Sequence, residues 1–571
     1  MSALFTPKRI GRVEIRNRIV MPAMTTRLAD AEGFVTDASV AYFRARAAGG
    51  TGLVTVEMAS PEPAGRHRAH ELGIFHDRYL PGLRRLTDAI HAEGAKASIQ
   101  VGHAGGHTRE DISGEPPLAP SAIPHYVFEV TGRTVVPLEM TRSRIGATVQ
   151  AFVAAAQRAQ AAGFDCVELH AAHGYLLSQF LCPAENRRGD EYGGSLENRA
   201  RISLDVVRQV KAAAADFPLI FRVNADDCFP GGLDFADALQ VAKWAARAGA
   251  DAIHVTAGHY RSRPSAHVMT PPMSFPEGVF LDYAARVKSE VEVPVIAVGR
   301  LGNPALAQAA VDSGKADFVA LGRSLIADPG WANKAARGEP VRRCLSCNKC
   351  VDEMRDGSRL GCLVNPAAAR ELEFDPERLP EGERIAVIGA GPAGLSYAAL
   401  VAGRNQVTVL ERRSFPGGAF RHAGKAPKFQ QVEASEDALH AYVVELARAC
   451  RGKGVAFRYR VDVLDKPEAL RGFDRVVVAS GARYRFGLGA LVYALLNVGL
   501  GKSALMRALF GSERVREAFY YRARQPTGER IRALAARGQR VEVIGDAARA
   551  GKGGEAIESA FRAAYSGARG S

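Results

Sequence analysis

Short apolar runs rich in Val and Ile recur through the first two-thirds of the chain: IVMPAM, GLVTVE, KASIQV, CVELHA, LIFRVN, AIHVTA, PVIAVG and FVALGR. Runs this short and continuous predict strands covered on both faces. Most are separated by stretches of helical period, such as YLPGLRRLTDAIHAEG and LENRARISLDVVRQVKAAAA. Eight such strands alternating with helices predict an α/β fold, a closed (β/α)8 TIM barrel over residues 1–338. An open doubly wound sheet shares the periodicity. The barrel is favoured because most Gly-rich and polar clusters follow the strands, as they do at the C-terminal mouth of a barrel.

A different pattern begins near residue 381. RIAVIGAGPAGLSYAALVAGRNQVTVLERR reads as strand, Gly-rich turn, helix and second strand, and FDRVVVASGA and VEVIGDAARAGKGGEAIESAFRAAY follow later. This predicts a C-terminal Rossmann-like domain over 381–571. Gly389, Gly391 and Gly394 supply the tight turn, the close approach to pyrophosphate and the helix–sheet packing, and Glu411 can bind ribose hydroxyls. Only about 55 residues separate ASGAR from RVEVIG, without a second GxGxxG. A full second nucleotide-binding subdomain needs more chain than that. The gap carries an apolar run, Phe486 to Gly501, which is Gly-interrupted and shorter than a membrane span. Buried packing and a partner-docking surface both remain open for it. GLGKS is not a phosphate loop, because Leu496 stands where the motif needs glycine.

Residues 339–380 link the two patterns and contain RRCLSCNKCVDEMRDGSRLGCLVNP. Cys344, Cys347 and Cys350 are spaced CxxCxxC, and Cys362 follows after eleven further residues. Three close thiolates plus one distant thiolate suit a [4Fe–4S] cluster; zinc, the alternative, more often takes two separated CxxC pairs. The chain has eight Cys, half of them in this segment, which argues for a metal or redox site rather than a disulfide framework.

Charge narrows the partners. The formal net charge is +14, yet no Lys/Arg run of five or more occurs. Phosphate-bearing small molecules or an acidic partner protein are therefore expected rather than nucleic acid. The start lacks the apolar core of a signal peptide and no span is evident, which predicts a cytoplasmic protein.

The chemistry-bearing residues cluster after the strands. His170, His173 and Tyr175 lie in HAAHGY after strand four: two imidazoles can donate to one electron-poor oxygen, and a nearby phenol can give a proton. A metal-site reading of HxxH is also open, although no third ligand is evident. GRLGNP and GRSLIADP, after strands seven and eight, have the form of a barrel phosphate site.

HAAHGYLLSQFL followed by RRGDEYGGSLENRAR resembles the old yellow enzyme family of FMN-dependent reductases. The order barrel, cysteine segment, dinucleotide fingerprint is similar to its larger members, 2,4-dienoyl-CoA reductase and trimethylamine dehydrogenase. The resemblance implies that Pro22, Ala23, Thr25 and Ala59 line the flavin, that Gln100 bonds its pyrimidine ring, and that Arg222 faces its N1 side. It places the FMN phosphate at Gly299, Arg300, Gly322 and Arg323. It implies that His170 and His173 polarise a carbonyl or nitro oxygen, that Tyr175 protonates the α-carbon, and that His259 in VTAGHYR joins the site. It implies a [4Fe–4S] cluster on the four cysteines. The C-terminal domain resembles the FAD-binding half of a disulfide-reductase-like flavoprotein, with Asp546 near the ribityl chain; FAD or only an ADP moiety is expected there, with electrons entering directly at FMN, NAD(P)H being the candidate donor, or coming from a protein donor.

Departures from the family narrow the activity. AMTTRLAD lacks the cysteine that would link the flavin covalently, and His170 stands where trimethylamine dehydrogenase has tyrosine. The expected function is therefore reduction of an α,β-unsaturated carbonyl, including enoyl thioesters. The runner-up is an amine dehydrogenase or oxidative N-demethylase passing electrons through the cluster to an electron-transfer protein. A redox-sensing or assembly subunit is a third, non-enzymatic class, and a homo-oligomer is compatible with all three.

Overall fold

Each of the eight apolar runs forms a strand: β1 Ile19–Met21, β2 Leu53–Ala59, β3 Lys96–Val101, β4 Cys166–Ala171, β5 Leu219–Asn224, β6 Ala252–Thr256, β7 Val295–Ala297 and β8 Phe318–Ala320. All neighbours pair in parallel, and β8 pairs with β1 to close the barrel. The computed structural model describes residues 2–125, 135–423, 436–485, 494–495, 498–500 and 503–566. The chain divides into two compact units, residues 1–341 with 350–360, and residues 342–349 with 361–571.

In the first unit a short antiparallel hairpin, Lys8–Ile10 with Val13–Ile15, precedes the barrel. Its Ile10 and Ile15 join Leu53, Cys166, Ile220, Ala252 and Phe318 in one apolar layer at the N-terminal ends of the strands. The helices follow the pattern read from the sequence, for example Leu80–His91 and Leu196–Ala213. Ser195 caps the second by accepting from the Asn198 N–H. Residues 350–360 lie on the barrel mouth: the Leu360 N–H donates to the Thr26 carbonyl, and Arg27 donates to the Met354 carbonyl.

The second unit is a five-stranded parallel sheet. Its strands are β9 Arg384–Ile388, β10 Gln406–Glu411, β11 Ala456–Tyr459, β12 Arg475–Val478 and β13 Arg540–Val543, in the order β11-β10-β9-β12-β13. β11, an amphipathic edge strand, gives no continuous apolar run and escapes the sequence pattern. Helices Pro392–Val401 and Gly553–Ser566 cover the sheet. Gly389 adopts φ +107°, and a Cβ there would lie 2.5 Å from the Ala479 carbonyl; a Cβ on Gly394 would lie 2.1 Å from the Gly389 carbonyl. Both positions therefore demand glycine. The apolar run Phe486–Gly501 lies mostly outside the described residues. Among the described residues no helix is long and apolar enough to cross a membrane.

Candidate active site

Strand register assembles the centre of the barrel mouth. His170 on β4, Arg222 on β5 and His254 on β6 are cross-strand partners, and one step lower Gln100 on β3 pairs with Glu168 on β4. Alternation turns Glu168 and His170 to the same, inner face. Glu168 is fully buried and anchors the group: Gln100 Nε2 donates at 2.7 Å, His254 Nδ1 lies at 2.7 Å, and Arg222 Nη1 stands 3.8 Å away. Burial works to raise its pKa, but His254, Arg222 and Gln100 outweigh it and hold the carboxylate ionised. Arg222 is desolvated enough that its pKa falls, and its buried Nε has no partner among the described residues.

The end of β4 and the turn after it carry three predicted residues, His170 on the strand and His173 and Tyr175 beyond it. The ring of His170 lies 5.1 Å from that of His173 and 5.0 Å from that of Tyr175. His173 sits at φ +64°, a left-handed conformation, held by Asn224 Oδ1 on its N–H and by Thr256 Oγ1, 3.0 Å from Nε2. Burial first, and then Arg222, push both imidazoles well below their ordinary pKa, so both are neutral at pH 7. Burial raises the Tyr175 phenol, with Arg68 opposing, so it keeps its proton. His67 Nε2 lies 3.2 Å from the Tyr175 hydroxyl, and its Nδ1 lies 3.0 Å from Glu71.

The loop after β2 brings residues that the sequence reading missed. Arg68 donates to Thr25 Oγ1 at 2.5 Å, to Tyr260 Oη at 3.3 Å and to Tyr175 Oη at 3.5 Å. Nothing in GRHRAHE distinguishes these residues from a solvated loop. Glu168 and His254 did carry a signal, since each is a titratable residue inside an otherwise apolar strand. Glu57, on β2, accepts from both the N–H and hydroxyl of Thr26 at 2.7 Å, and burial raises it from 4.5 to about 7.

The other residues expected to hold the flavin ring the same mouth. Pro22, Ala23 and Thr25 follow β1, and Ala59 ends β2. Gly299 and Arg300 follow β7, while Gly322 and Arg323 open the helix Gly322–Ala327 after β8. Arg300 donates to the Met273 carbonyl at 3.2 Å and Arg323 to the Pro271 carbonyl at 2.8 Å. His259 is close to the His173 turn but faces inward: its Nδ1 accepts from the Arg261 N–H, and its Nε2 lies 3.3 Å from Glu185. Burial opposes protonation there, but Glu185 and Asp227 prevail and raise its pKa.

In the second unit Gly391 is the N-cap of helix Pro392–Val401, and a Cβ on it would meet only Gly418 Cα, at 3.9 Å. Glu411 accepts from the Ala390 and Arg413 N–H groups, and Asp546 pairs with Arg524 at 2.6 Å. Cys344, Cys347 and Cys362 belong to this unit, Cys350 to the first, and none is in a disulfide. Ser346 and Asn348 adopt φ +50° and +58°, and the Ser346 N–H donates to Cys344 Sγ at 3.3 Å.

Residues 3–341 match the NADH:flavin oxidoreductase / NADH oxidase family, and residues 387–434 an NAD(P)-binding Rossmann-like domain. The chain is 39% identical to NADH oxidase of Thermoanaerobacter brockii, over 84% of this chain and 73% of that protein. It is 33% identical to cinnamate reductase of Clostridium sporogenes, over 84% and 74%. The structure of 2-naphthoyl-CoA reductase in complex with 2-naphthoyl-CoA superposes with a TM-score of 0.85, covering 98% of each chain at 24% identity, a likeness of fold.

Proposed function

Because this chain belongs to the NADH:flavin oxidoreductase / NADH oxidase family, and is thus an FMN-dependent oxidoreductase, we propose that its barrel site reduces the C=C bond of an α,β-unsaturated carbonyl compound. The observation that carries this reading is the charge state of the donors. His170 and His173 are held neutral and Tyr175 is held protonated. Three uncharged donors a ring's breadth apart suit a neutral carbonyl oxygen that gains negative charge as the bond is reduced.

The barrel residues fit FMN. Arg222 offers a buried guanidinium with an unpartnered Nε, and Gln100, bonded to Glu168 through its amide nitrogen, keeps its carbonyl oxygen to accept. Pro22, Ala23, Thr25, Ala59, Gly299, Arg300, Gly322 and Arg323 would complete the cradle. Bound FMN supplies and accepts hydride. The chain does the rest: His170 and His173 orient and polarise the substrate carbonyl, and Tyr175 gives its proton to the α-carbon. Arg68, 3.5 Å from that hydroxyl, stabilises the phenolate left behind. His67 Nε2, 3.2 Å from the same hydroxyl, accepts from it and orients it, while Nδ1 faces Glu71.

The cysteine segment fits a [4Fe–4S] cluster by its soft donor set and by the N–H that already serves Cys344 Sγ. The Gly389–Gly394 turn fits the pyrophosphate of FAD, or of an ADP moiety, since Gly391 leaves the helix N-terminus uncovered. We retain the alternative of amine dehydrogenation, with electrons leaving to a protein acceptor, as the second reading. Arg68 and Arg222 count against it, because two guanidiniums at one mouth repel an alkylammonium ion.

Anaerobic stopped-flow separates the two. Reduced protein mixed with an enone or enoate is expected to reoxidise in single-turnover fashion. Bleaching of oxidised protein by methylated amines, with no reoxidation by any alkene, would overturn the proposal.

A further inference from the structure

One helix of the second unit is apolar on two sides. Ser503 caps the helix Ala504–Gly511 by accepting from the Met506 N–H. Phe510 holds it from beneath: it is 9% exposed, its ring lies 5.2 Å from that of Phe519, and Phe519 lies 5.0 Å from Tyr484. Leu505 and Leu509, one turn apart, face the other way and are 76% and 52% exposed. Val498 and Leu500, just before the helix, are 69% and 50% exposed. A surface helix packs by one face and shows water a polar one. Here the packing face is already supplied by Phe510, so a cluster of bare aliphatic side chains on another face marks an interaction surface.

The charge along this segment has one sign. Residues 479–512 carry four basic side chains, Arg483, Arg485, Lys502 and Arg507, and no Asp or Glu. Arg483 and Arg485 are exposed; Arg483 lies on the strand Ala482–Tyr484, antiparallel to Arg524–Pro526, and Tyr484 of that strand ends the aromatic chain beneath the helix. The apolar run Phe486–Gly501, too short to span a bilayer, leads directly into the helix. We propose that the segment around Leu505 and Leu509 docks the protein on an anionic lipid surface. The leucines enter the boundary between headgroups and acyl chains, and the bases meet the lipid phosphates. Composition favours lipid over a protein partner. Protein interfaces are anchored by aromatic side chains seated in pockets, whereas here Phe510 and Phe519 pack inward and only aliphatic groups face out. A bilayer asks for apolar area and positive charge and for no shape complement. The inference is independent of the barrel chemistry.

The test is flotation of the flavin-loaded, full-length protein with two kinds of vesicle, phosphatidylcholine alone and phosphatidylcholine with about one-third phosphatidylglycerol. The wild type should partition onto the anionic vesicles about tenfold or more better than onto the neutral ones, and less well as ionic strength rises from about 0.1 M to about 0.5 M. The double variant Leu505→Glu with Leu509→Glu should lose about tenfold or more of that partition while keeping its flavin. Should it fail to fold, Lys502→Glu with Arg507→Glu decides, because it reverses charge without touching the leucines. Partition onto neither vesicle overturns the proposal. So does salt-sensitive binding that survives the leucine substitutions, which would mark a purely electrostatic site of the kind an acidic protein takes. Concentration-dependent self-association that the leucine substitutions abolish, without vesicle binding, would assign the face to a second copy of this chain and overturn the lipid reading.

Discussion

Glu57 gives the barrel a stability that depends on pH, and the amount follows from its surroundings. The side chain is 1% exposed, and its partners are the N–H and hydroxyl of Thr26 rather than a cation. Burial lifts its pKa from 4.5 to about 7. A carboxyl whose pKa is raised in the folded state holds more protons folded than unfolded between those values, so its contribution is full below pH 4.5 and is lost as pH rises through 7. The whole difference is worth about 3.4 kcal/mol, of which ~2.5 kcal/mol disappears between pH 5 and pH 8. Glu57→Gln removes the titration while keeping an oxygen for the Thr26 N–H and an amide for its hydroxyl. Hydrogen exchange of the β2 amides measured from pH 5 to pH 8, corrected for intrinsic rates, reports the local opening free energy in both proteins. Wild type minus variant should fall by ~2.5 kcal/mol across that range. A difference flat to within about 0.5 kcal/mol would mean that the carboxylate is ionised throughout and that burial does not govern it.

Other consequences are open to direct measurement. Tyr175→Phe should lower the rate of enone-driven reoxidation by about 10²-fold or more while leaving the affinity for the saturated ketone product nearly unchanged; loss of binding with an unchanged rate would assign the proton to another donor. Cys344→Ser should remove iron from anaerobically purified protein yet leave the barrel flavin in place, and retention of four irons per chain would show that this thiol is not a ligand. Arg475, 2% exposed, bridges Glu383 at 2.6 Å and Glu542. Arg475→Ala should destabilise the C-terminal sheet by about 3 kcal/mol, read by amide exchange in β9 and β12, because two acids are left facing each other.

What was legible beforehand follows from periodicity. The eight barrel strands are covered on both faces, so each leaves an uninterrupted apolar run, and the Gly389–Gly394 turn is dictated by two contacts that admit no side chain. β11 was invisible because it is an edge strand of alternating exposure. The hairpin at residues 8–15 was invisible because strands of three residues have too little period to detect. In the site, His170, His173 and Tyr175 stood out through a shared motif and lie together. Arg68 and Tyr260 did not, because their association depends on two loops 192 residues apart converging over one tyrosine. A sequence shows which residues can titrate; it does not show which of them a fold brings together.

That distinction explains how the mouth is constructed. Six imidazoles, those of His67, His107, His125, His170, His173 and His254, are all pushed down by burial, so none adds a positive charge at neutral pH. Fixed positive charge is left to arginine, which burial cannot readily discharge, and to His259, whose pKa Glu185 and Asp227 raise. Arg222 stands at the strand level beside Glu168, and Arg68 stands beside the Tyr175 hydroxyl. Had the histidines been charged, positive potential would fill the whole mouth and an anion would find no preferred seat in it. With these six histidines neutral, the guanidiniums carry most of the positive charge of the mouth, and the donors between them remain free to respond to the oxygen on which charge develops.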